Sequence, residues 1–349
     1  MLDLARHLAE RLTPWFERHQ RDLEWRRTRD PYAIWVSEIM LQQTRVDTVR
    51  SYYRAFMARF PDVGALASAD EESVLQAWSG LGYYRRARLL HRGAIHVARE
   101  LGGRVPDTGE ALRKIPGIGR YTAGAIASIA FDRPVPLVDG NVARVLSRIL
   151  ALTDPADQDA TAAGHWGWVE KILAAGSPRI LAQALMELGA MVCTPSSPRC
   201  DACPVRDACK AHAEGLTATI PAPRKKAAQT EHTLWAVAIE RDGSILMERR
   251  PGEGLLAGLW CLPLLEREGD APKAARVKAA TGVAVRKPEP AGDPVRHVFT
   301  HRVWNLYPCR ARAIGEPEAG EGRMWIARGE RPPGGIPTIT EKVLARLGY

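Results

Sequence analysis

Along residues 1–212 the apolar positions recur about every 3.6 residues, which is the period of an amphipathic helix. The pattern predicts helices over residues 2–19, 31–44, 72–78, 84–101, 121–131 and 142–150. Turn residues and possible caps separate these stretches from one another. The sequence therefore predicts that this part of the chain is mostly α-helical.

After residue 230 the pattern changes to short apolar or alternating runs with turn signals between them. It predicts strands over residues 234–240, 244–249, 295–306 and 324–327, and one helix over 271–281. The apolar positions in 295–306 predict one strand, with Phe299 and His301 on one face and Thr300 on the other. This part of the chain is therefore predicted to be α+β.

A basic, proline-rich segment at residues 219–226 separates the two patterns and cannot hold a helix. A chain of 349 residues is also longer than one hydrophobic core usually spans. We therefore predict a helical domain over residues 1–212, a linker over 213–230 and an α+β domain over 231–349.

The composition, with 46% hydrophobic and 26% charged residues, is that of a globular protein and excludes wholesale disorder. A net charge of +9 favours a polyanionic partner, although an Arg- and Ala-rich composition also follows from nucleotide bias in a gene. No apolar stretch reaches the ~18 residues that cross a bilayer, and the first residues lack a signal-peptide pattern. We expect a cytoplasmic protein without membrane association.

Four of the six cysteines lie within seventeen residues, in the order Cys193, Cys200, Cys203 and Cys209. Without a secretion signal, metal or cluster ligation explains this grouping better than disulfides do. Zinc modules usually pair two short clips, whereas one isolated cysteine, one x2 clip and one x5 gap wrap around something larger. The spacing favours a 4Fe-4S cluster, and zinc stays open as the alternative.

Residues 112–123 predict a helix that ends, turns on two glycines and restarts. Gly117 and Gly119 permit positive φ and bring backbone N–H groups at the start of the next helix, beside Arg120, within reach of a phosphate. Such a helix-hairpin-helix holds DNA without reading its sequence. An ordinary turn between two helices explains the same residues.

A Gly/Pro-containing loop at residues 133–141 ends in Asp139, which as a lone acid before a helix is a plausible N-cap. The hairpin, this loop and the acid together resemble the helix-hairpin-helix, Gly/Pro-loop, Asp superfamily of DNA glycosylases. The cysteine spacing resembles that of its iron–sulfur branch, and the resemblance covers residues 30 to 210. It implies a helical DNA glycosylase domain with one 4Fe-4S cluster, and double-stranded DNA as the partner.

Residues 30–44 begin with Asp30 and Pro31, a favourable N-cap and first-turn pair, and so predict a helix. Glu38 lies in an apolar stripe of this helix, with no basic residue at i±3 or i±4. Desolvation disfavours the charged carboxylate, so Glu38 is a candidate general acid. A solvated or salt-bridged glutamate is the alternative.

The run Ser-Glu-Ile-Met-Leu-Gln-Gln-Thr at residues 37–44 resembles the catalytic helix of adenine DNA glycosylases of the MutY family. The resemblance implies that Glu38 protonates adenine N7 and then assists attack by water. It implies that ionised Asp139 stabilises the sugar cation, and it adds Asn141 to the catalytic set. Releasing a purine needs such an acid and such an anion.

The same resemblance predicts the residues that contact the duplex while the base is flipped out. Leu41, Gln42 and Gln43 correspond to residues that wedge into the duplex. Tyr83 corresponds to a stacking aromatic, although a tyrosine packed in a core after a glycine turn fits the sequence nearly as well.

Tyr121 lies where endonuclease III-like glycosylases place a lysine that attacks the sugar as a Schiff-base nucleophile. A phenol cannot form an imine. We therefore predict a monofunctional glycosylase, without strand-cleaving lyase activity, and include Tyr121 in the catalytic set.

Residues 258–263, together with a helix that ends at Thr281 and Gly282, resemble a Nudix (MutT-like) fold. Ala279 and Ala280 occupy the positions of its paired metal-binding glutamates, so we predict no Mg²⁺ site for pyrophosphate hydrolysis. Residues 299–301 resemble the MutY family's Phe-Ser-His segment that senses 8-oxoguanine. Phe299, Thr300 and His301 are therefore the predicted recognition residues, with Thr300 replacing the serine.

These features predict adenine excision from A:8-oxoguanine or A:G mispairs by a monomeric enzyme. An endonuclease III-like glycosylase/lyase would require a lysine in place of Tyr121 and no Nudix-like half. A non-catalytic iron–sulfur DNA-binding or electron-transfer protein would be unaffected by Glu38→Gln. The sequence carries no motif strong enough to name a protein partner.

Overall fold

The computed structural model describes residues 2–223, 228–299, 301–315 and 317–349. Residues 1–68 and 89–225 form one compact unit, and residues 69–88 and 226–349 form a second. The change of unit at 225 falls inside the predicted linker, of which 224–227 lie outside the described residues. The sequence pattern did not predict that 69–88 would pack with the second unit. None of the described helices is long and apolar enough to cross a bilayer.

The first part of the chain is helical, as predicted. Its helices are α1 (Leu2–His19), α2 (Pro31–Leu41), α3 (Val46–Arg59), α4 (Val63–Ser68), α5 (Glu71–Ala77), α6 (Arg85–Glu100), α7 (Gly109–Arg113), α8 (Arg120–Phe131), α9 (Gly140–Leu150), α10 (Asp159–Leu173), α11 (Pro178–Met191) and α12 (Lys210–Ala213). Helix α5 and the first turn of α6 belong to the second unit.

Helix α2 begins as the sequence predicts, because the Asp30 side chain accepts hydrogen bonds from the backbone N–H groups of Tyr32 and Ala33. It ends at Leu41, three residues before the predicted end. The backbone leaves the helix at Gln42, and Gln43 has a φ of +56°. Residues 42–44 therefore form a turn, which helical periodicity alone does not reveal.

The core of the first unit lies among α1, α8, α9, α10 and α11. Two glycines let backbone segments approach closely at its edge. A Cβ on Gly124 in α8 would lie 2.0 Å from the Pro136 carbonyl oxygen, and one on Gly189 in α11 would lie 2.6 Å from Cβ of Asn141. The loop before α9 is therefore held close to α8, and the first turn of α9 is held close to α11.

The second unit is α+β, as predicted. Its strands are β1 (Thr230–Arg241), β2 (Ser244–Arg249), β3 (Trp260–Cys261), β4 (Leu264–Glu266), β5 (Glu289–Pro290), β6 (Val295–Val298), β7 (Arg302–Arg312) and β8 (Arg323–Ala327), and its further helices are α13 (Ala274–Thr281) and α14 (Thr338–Arg346). The main sheet order is β3-β2-β1-β7-β5, and β1 pairs with β7 in parallel. Ile339 and Val343 of α14 pack in one core of this unit, and Val277 of α13 packs in another.

The prediction of one continuous strand over 295–306 is wrong. Strands β6 and β7 are antiparallel neighbours, and the Phe299 N–H donates to the Arg302 carbonyl across the turn at 2.7 Å. Phe299 and His301 therefore lie at this turn, not along one strand face, and Thr300 lies outside the described residues. Apolar residues occur on both sides of the reversal, and no Gly, Pro, Asn or Asp lies at residues 298–302 to mark it, so the sequence pattern does not reveal it.

Candidate active site

The first unit contains a cavity of about 580 Å³ between α2, α8, α9 and α11. It is lined by seven of the predicted site residues, which come from three separate stretches of chain: Glu38, Leu41, Gln42, Gln43, Tyr121, Asp139 and Asn141. The four residues predicted for catalysis thus share this cavity with the three predicted at the wedge.

Glu38 is almost fully buried, with 5% of its surface exposed. The Tyr121 hydroxyl donates a hydrogen bond to its Oε2 at 2.8 Å. Burial, with a smaller contribution from the Asp139 charge, raises the pKa of Glu38 to about 7, although the Tyr121 hydrogen bond and Arg26 oppose the shift. A carboxyl group with this pKa can hold a proton near neutral pH and release it to a substrate.

Asp139 caps α9 and also faces the cavity. Its Oδ1 accepts the Val142 N–H at 2.7 Å, and its Oδ2 accepts from Nδ2 of Asn141 at 3.0 Å. Burial raises the pKa of Asp139, whereas these two hydrogen bonds favour the charged form. The N-cap role considered from the sequence is therefore real, and it fixes the carboxyl group at the cavity wall.

The hairpin residues lie outside the cavity lining but lead directly into α8. Gly117 has a φ of +85°, and a Cβ there would lie 2.7 Å from Cβ of Leu89. Gly119 has a φ of −85°, so the expected use of positive φ holds for Gly117 alone. Arg120 is exposed and lies over the Trp166 ring, 3.8 Å from its centroid. The next residue, Tyr121, points its hydroxyl at Glu38.

The four clustered cysteines surround a second, small cavity of the first unit. Nη1 of the buried Arg148 donates to Sγ of Cys193 at 3.4 Å and to the Thr194 carbonyl at 2.7 Å. Within the described ranges, no three His, Cys, Asp or Glu side chains are grouped closely enough to hold a single metal ion. The donor set of four thiols around one space fits a 4Fe-4S cluster.

A line of hydrogen bonds joins the cysteine segment to the cavity that contains Glu38 and Asp139. Arg144 donates to the Cys193 carbonyl and to Oδ1 of Asn141, each at 2.8 Å. Asn141 in turn donates to Asp139. The cysteine loop therefore supports the orientation of Asp139 through two side chains.

The second unit contains the other predicted contact residues. Tyr83 is 51% exposed and has a φ of +51°. The Phe299 ring lies edge-on between those of His297 and Trp304, with centroids 4.6 and 5.2 Å away. His301 is exposed at the same turn. At this turn the Phe299 ring is therefore held in place by two aromatic neighbours, and the His301 side chain is exposed.

Comparison with protein families assigns three segments of the chain. Residues 36–171 match the HhH-GPD superfamily of base excision DNA repair proteins, and residues 193–209 match the iron–sulfur binding domain of endonuclease III. Residues 234–346 match the NUDIX domain. These matches confirm the helical glycosylase fold, the Nudix-like fold and a 4Fe-4S cluster in preference to zinc.

The similar proteins of known function show to which family the chain belongs. The mouse adenine DNA glycosylase is 36% identical over an alignment of 397 positions, which covers 95% of this chain and 76% of that protein. The chain belongs to the adenine DNA glycosylase family. The rat and human adenine DNA glycosylases are each 40% identical, and the matched parts span 60% and 56% of their lengths.

Two solved structures support the fold of the helical part. A thermostable thymine-DNA glycosylase matches with a TM-score of 0.55 and 26% identity, over 61% of this chain and 98% of that one. A trapped covalent endonuclease III–DNA intermediate matches with a TM-score of 0.53 and 22% identity, over 62% of this chain and 99% of that one. The helical fold of this family is thus shared with glycosylases of other specificity.

The cavity also contains residues that the sequence reasoning missed. Glu187 is 1% exposed and accepts hydrogen bonds from Arg21 and Arg26, both at 2.7 Å to Oε2. Trp25 is buried at the same wall. Glu187 lies within an apolar helical stretch, as Glu38 does, so the signal that singled out Glu38 also pointed to Glu187.

Proposed function

We propose that this protein hydrolyses the N-glycosidic bond of adenine mispaired with 8-oxoguanine or guanine, and leaves an abasic site for base excision repair. The observation that carries the proposal is the juxtaposition of buried Glu38, bonded to Tyr121, with Asp139 in one cavity. The cavity volume of about 580 Å³ is large enough for a nucleoside. The family membership supports the same assignment.

Glu38 is the proposed general acid. Its buried carboxyl group retains a proton near pH 7, and within the described ranges no Lys or Arg lies within salt-bridge distance of it. Protonation of adenine N7 converts a poor leaving group into a neutral base as the bond breaks. The resulting carboxylate then accepts a proton from the attacking water.

Asp139 is the proposed anion. The Val142 N–H and the Asn141 amide donate to its two oxygens and stabilise negative charge there. An anion fixed in this way stabilises positive charge that develops on the sugar without having to reorient. Asn141 is thus proposed as a positioning residue for Asp139.

We also propose that the enzyme does not cleave the DNA strand. The cavity lining of the described residues contains Tyr121 and no lysine, so it offers no amine for imine formation with the sugar. Borohydride treatment of the wild-type protein with its substrate duplex is expected to trap no covalent adduct. An adduct formed as efficiently as with a known lyase would contradict this part of the proposal.

We propose that the duplex is bound by the hairpin of Gly117, Gly119 and Arg120, and that Leu41, Gln42, Gln43 and Tyr83 enter it. Phe299 and His301, with Thr300 between them, are proposed to contact the 8-oxoguanine. The net charge of +9 supports attraction to DNA. We propose that the protein acts as a monomer at chromosomal DNA.

The test is single-turnover excision on A:8-oxoguanine, A:G and A:C duplexes, with wild-type protein and Glu38→Gln. We expect the wild type to release adenine fastest from A:8-oxoguanine. Glu38→Gln is expected to lose base release by at least about 100-fold, the usual contribution of general acid catalysis, and to keep its duplex affinity. Excision by Glu38→Gln at the wild-type rate would refute the proposal.

A further inference from the structure

The segment that contains Tyr83 is attached to the second unit by two hydrogen bonds to backbone carbonyls. The buried Tyr84 hydroxyl donates to the Ile336 carbonyl at 2.8 Å. Nη2 of Arg88 donates to the Ala257 carbonyl at 2.6 Å. Both acceptors lie in loops of the Nudix-like unit, so residues 69–88 are bound to the unit that contains Phe299 and His301.

Glycines lie where the two segments approach one another, and at Gly335 the Tyr84 ring leaves no room for a side chain. A Cβ on Gly335 would lie 2.7 Å from Cε1 of Tyr84, and a Cβ on Gly258 would lie 2.5 Å from Nη2 of Arg88. Arg88 also donates to Glu71 at 3.0 Å, within the same segment. The attachment is therefore a close-packed, specific contact rather than a loose surface contact.

Tyr83 itself is exposed but conformationally fixed. Its φ of +51° is in the left-handed region, which is unfavourable for a bulky residue and persists only where the surroundings enforce it. The preceding Gly82 carbonyl accepts from Nε1 of Trp78 at 3.1 Å, and the Arg86 guanidinium lies 5.3 Å from the centre of the Tyr83 ring. The ring is thus presented to solvent from a rigid base.

We infer that Tyr84 and Arg88 are positioning residues, through which the Nudix-like unit sets the conformation of Tyr83 and thereby contributes to discrimination of the base opposite adenine. This inference rests on the proposed function. Tyr83 and the Phe299 turn would then act on the duplex from one body. Misplacing Tyr83 would weaken the preference for 8-oxoguanine even with the recognition turn intact.

The test is a double-mutant cycle on the ratio of single-turnover excision rates for A:8-oxoguanine and A:G. Tyr84→Phe keeps the ring but removes the hydroxyl that donates to the Ile336 carbonyl and accepts from the Gly80 N–H at 3.3 Å, and this loss is expected to lower the ratio about 3- to 10-fold. In a Tyr83→Ala background the same change is expected to have no further effect, because the residue it positions is gone. Tyr307→Phe, a hydroxyl deletion in β7 of the same unit, is the matched control and leaves the ratio unchanged.

A second variant, together with the activity of the wild type, distinguishes failure of this inference from failure of the proposed function. Arg88→Lys retains the charge but loses the planar fork that joins Ala257 and Glu71, and it is expected to lower the ratio in the same way, with an unchanged melting temperature. Additive effects of Tyr83→Ala and Tyr84→Phe, or no effect of Tyr84→Phe, would overturn the inference while adenine excision by the wild type stands. Absence of adenine excision by the wild type would refute the proposed function itself.

Discussion

The Tyr121 hydroxyl donates its hydrogen bond to Oε2 of Glu38 at 2.8 Å, between residues 83 positions apart in the chain. The residue expected at the position of a nucleophilic lysine in lyases therefore contacts the proposed general acid. The phenol remains neutral near pH 7, because burial raises the pKa of Tyr121 well above its ordinary value. Tyr121 can thus stabilise the Glu38 carboxylate after proton transfer without competing for the proton.

Tyr121→Phe is expected to shift the pH dependence of base excision. The Tyr121 hydrogen bond lowers the pKa of Glu38, so its removal raises that pKa above about 7. Glu38 then stays protonated to higher pH, and the alkaline limb of the single-turnover rate profile shifts to higher pH. The profile is measured on an A:8-oxoguanine duplex. An alkaline limb that stays in place would show that Tyr121 does not tune Glu38.

Glu38 is also expected to weaken the fold as the pH rises. Burial raises its pKa from 4.5 to about 7, so the folded state keeps a proton that the unfolded state has lost between these values. The contribution of Glu38 to the free energy of unfolding is therefore largest below about pH 4.5. It decreases by about 3 kcal/mol as the pH rises through 7.

Glu38→Gln removes this dependence, and its effect is measured by urea unfolding of both proteins at pH 5 and pH 8. We expect the variant to gain stability relative to the wild type at pH 8 compared with pH 5. A difference between the two proteins that does not change with pH would contradict the raised pKa. Other groups titrate equally in both proteins, so their contributions cancel in the difference between the variant and the wild type, and only the change of this difference with pH is interpreted.

The sequence predicted the helices around Glu38 and Asp139 well because local signals fix them. Asp30 caps α2, and Asp139 caps α9, each through its own side chain. The convergence of these helices at one cavity followed from the family resemblance and not from any local pattern. Tertiary packing, such as that of Gly124 against the loop before α9 and of Gly189 against the first turn of α9, brings the two acids together.

Other features had no signal in a single sequence. The reversal between β6 and β7 is marked by no Gly, Pro, Asn or Asp, and apolar residues occur on both sides of it. The attachment of residues 69–88 to the second unit depends on Tyr84 meeting the Ile336 carbonyl, 252 positions away. A backbone carbonyl carries no side-chain signature, so such a contact is visible only in the structure.

Glu187→Ala is expected to destabilise the first unit strongly. Burial alone raises the pKa of Glu187, but hydrogen bonds from Arg26 and Arg21 outweigh it and hold the pKa at about 2. Removing the carboxylate leaves the mostly buried Arg26 without its counter-ion, for which we expect a loss of about 3–5 kcal/mol in urea unfolding at pH 7.

The matched control for Glu187→Ala is Glu110→Gln, which breaks the exposed pair with Lys114 at 3.0 Å. An exposed pair of this kind contributes at most about 1 kcal/mol. The Glu187 contribution is present above pH 4.5 and is lost as the pH falls toward 2, because the folded pKa is the lower one. Equal losses from the two variants would show that the buried network is not a stabilising element.

Arg148→Lys is expected to weaken retention of the iron–sulfur cluster. Arg148 is 2% exposed, and its guanidinium donates to the carbonyls of Thr194, Pro195 and Ile220 as well as to Sγ of Cys193. Lysine keeps the charge but cannot reach these acceptors from one planar group. We expect a lower iron content per protein, a faster loss of visible absorbance in the presence of chelator, and a stability loss of at least about 2 kcal/mol.

Arg206→Lys provides the comparison for Arg148→Lys within the same cysteine segment. Arg206 pairs with the fully exposed Asp201 at 3.0 Å, so its replacement leaves the backbone carbonyls around Cys193 supported. Because Cys193 is also joined to Asp139 through Arg144 and Asn141, loosening of this loop by Arg148→Lys should slow excision together with cluster loss. If Arg148→Lys instead keeps a normal iron content but excises adenine slowly, Arg148 supports the position of Asp139 and does not help to retain the cluster.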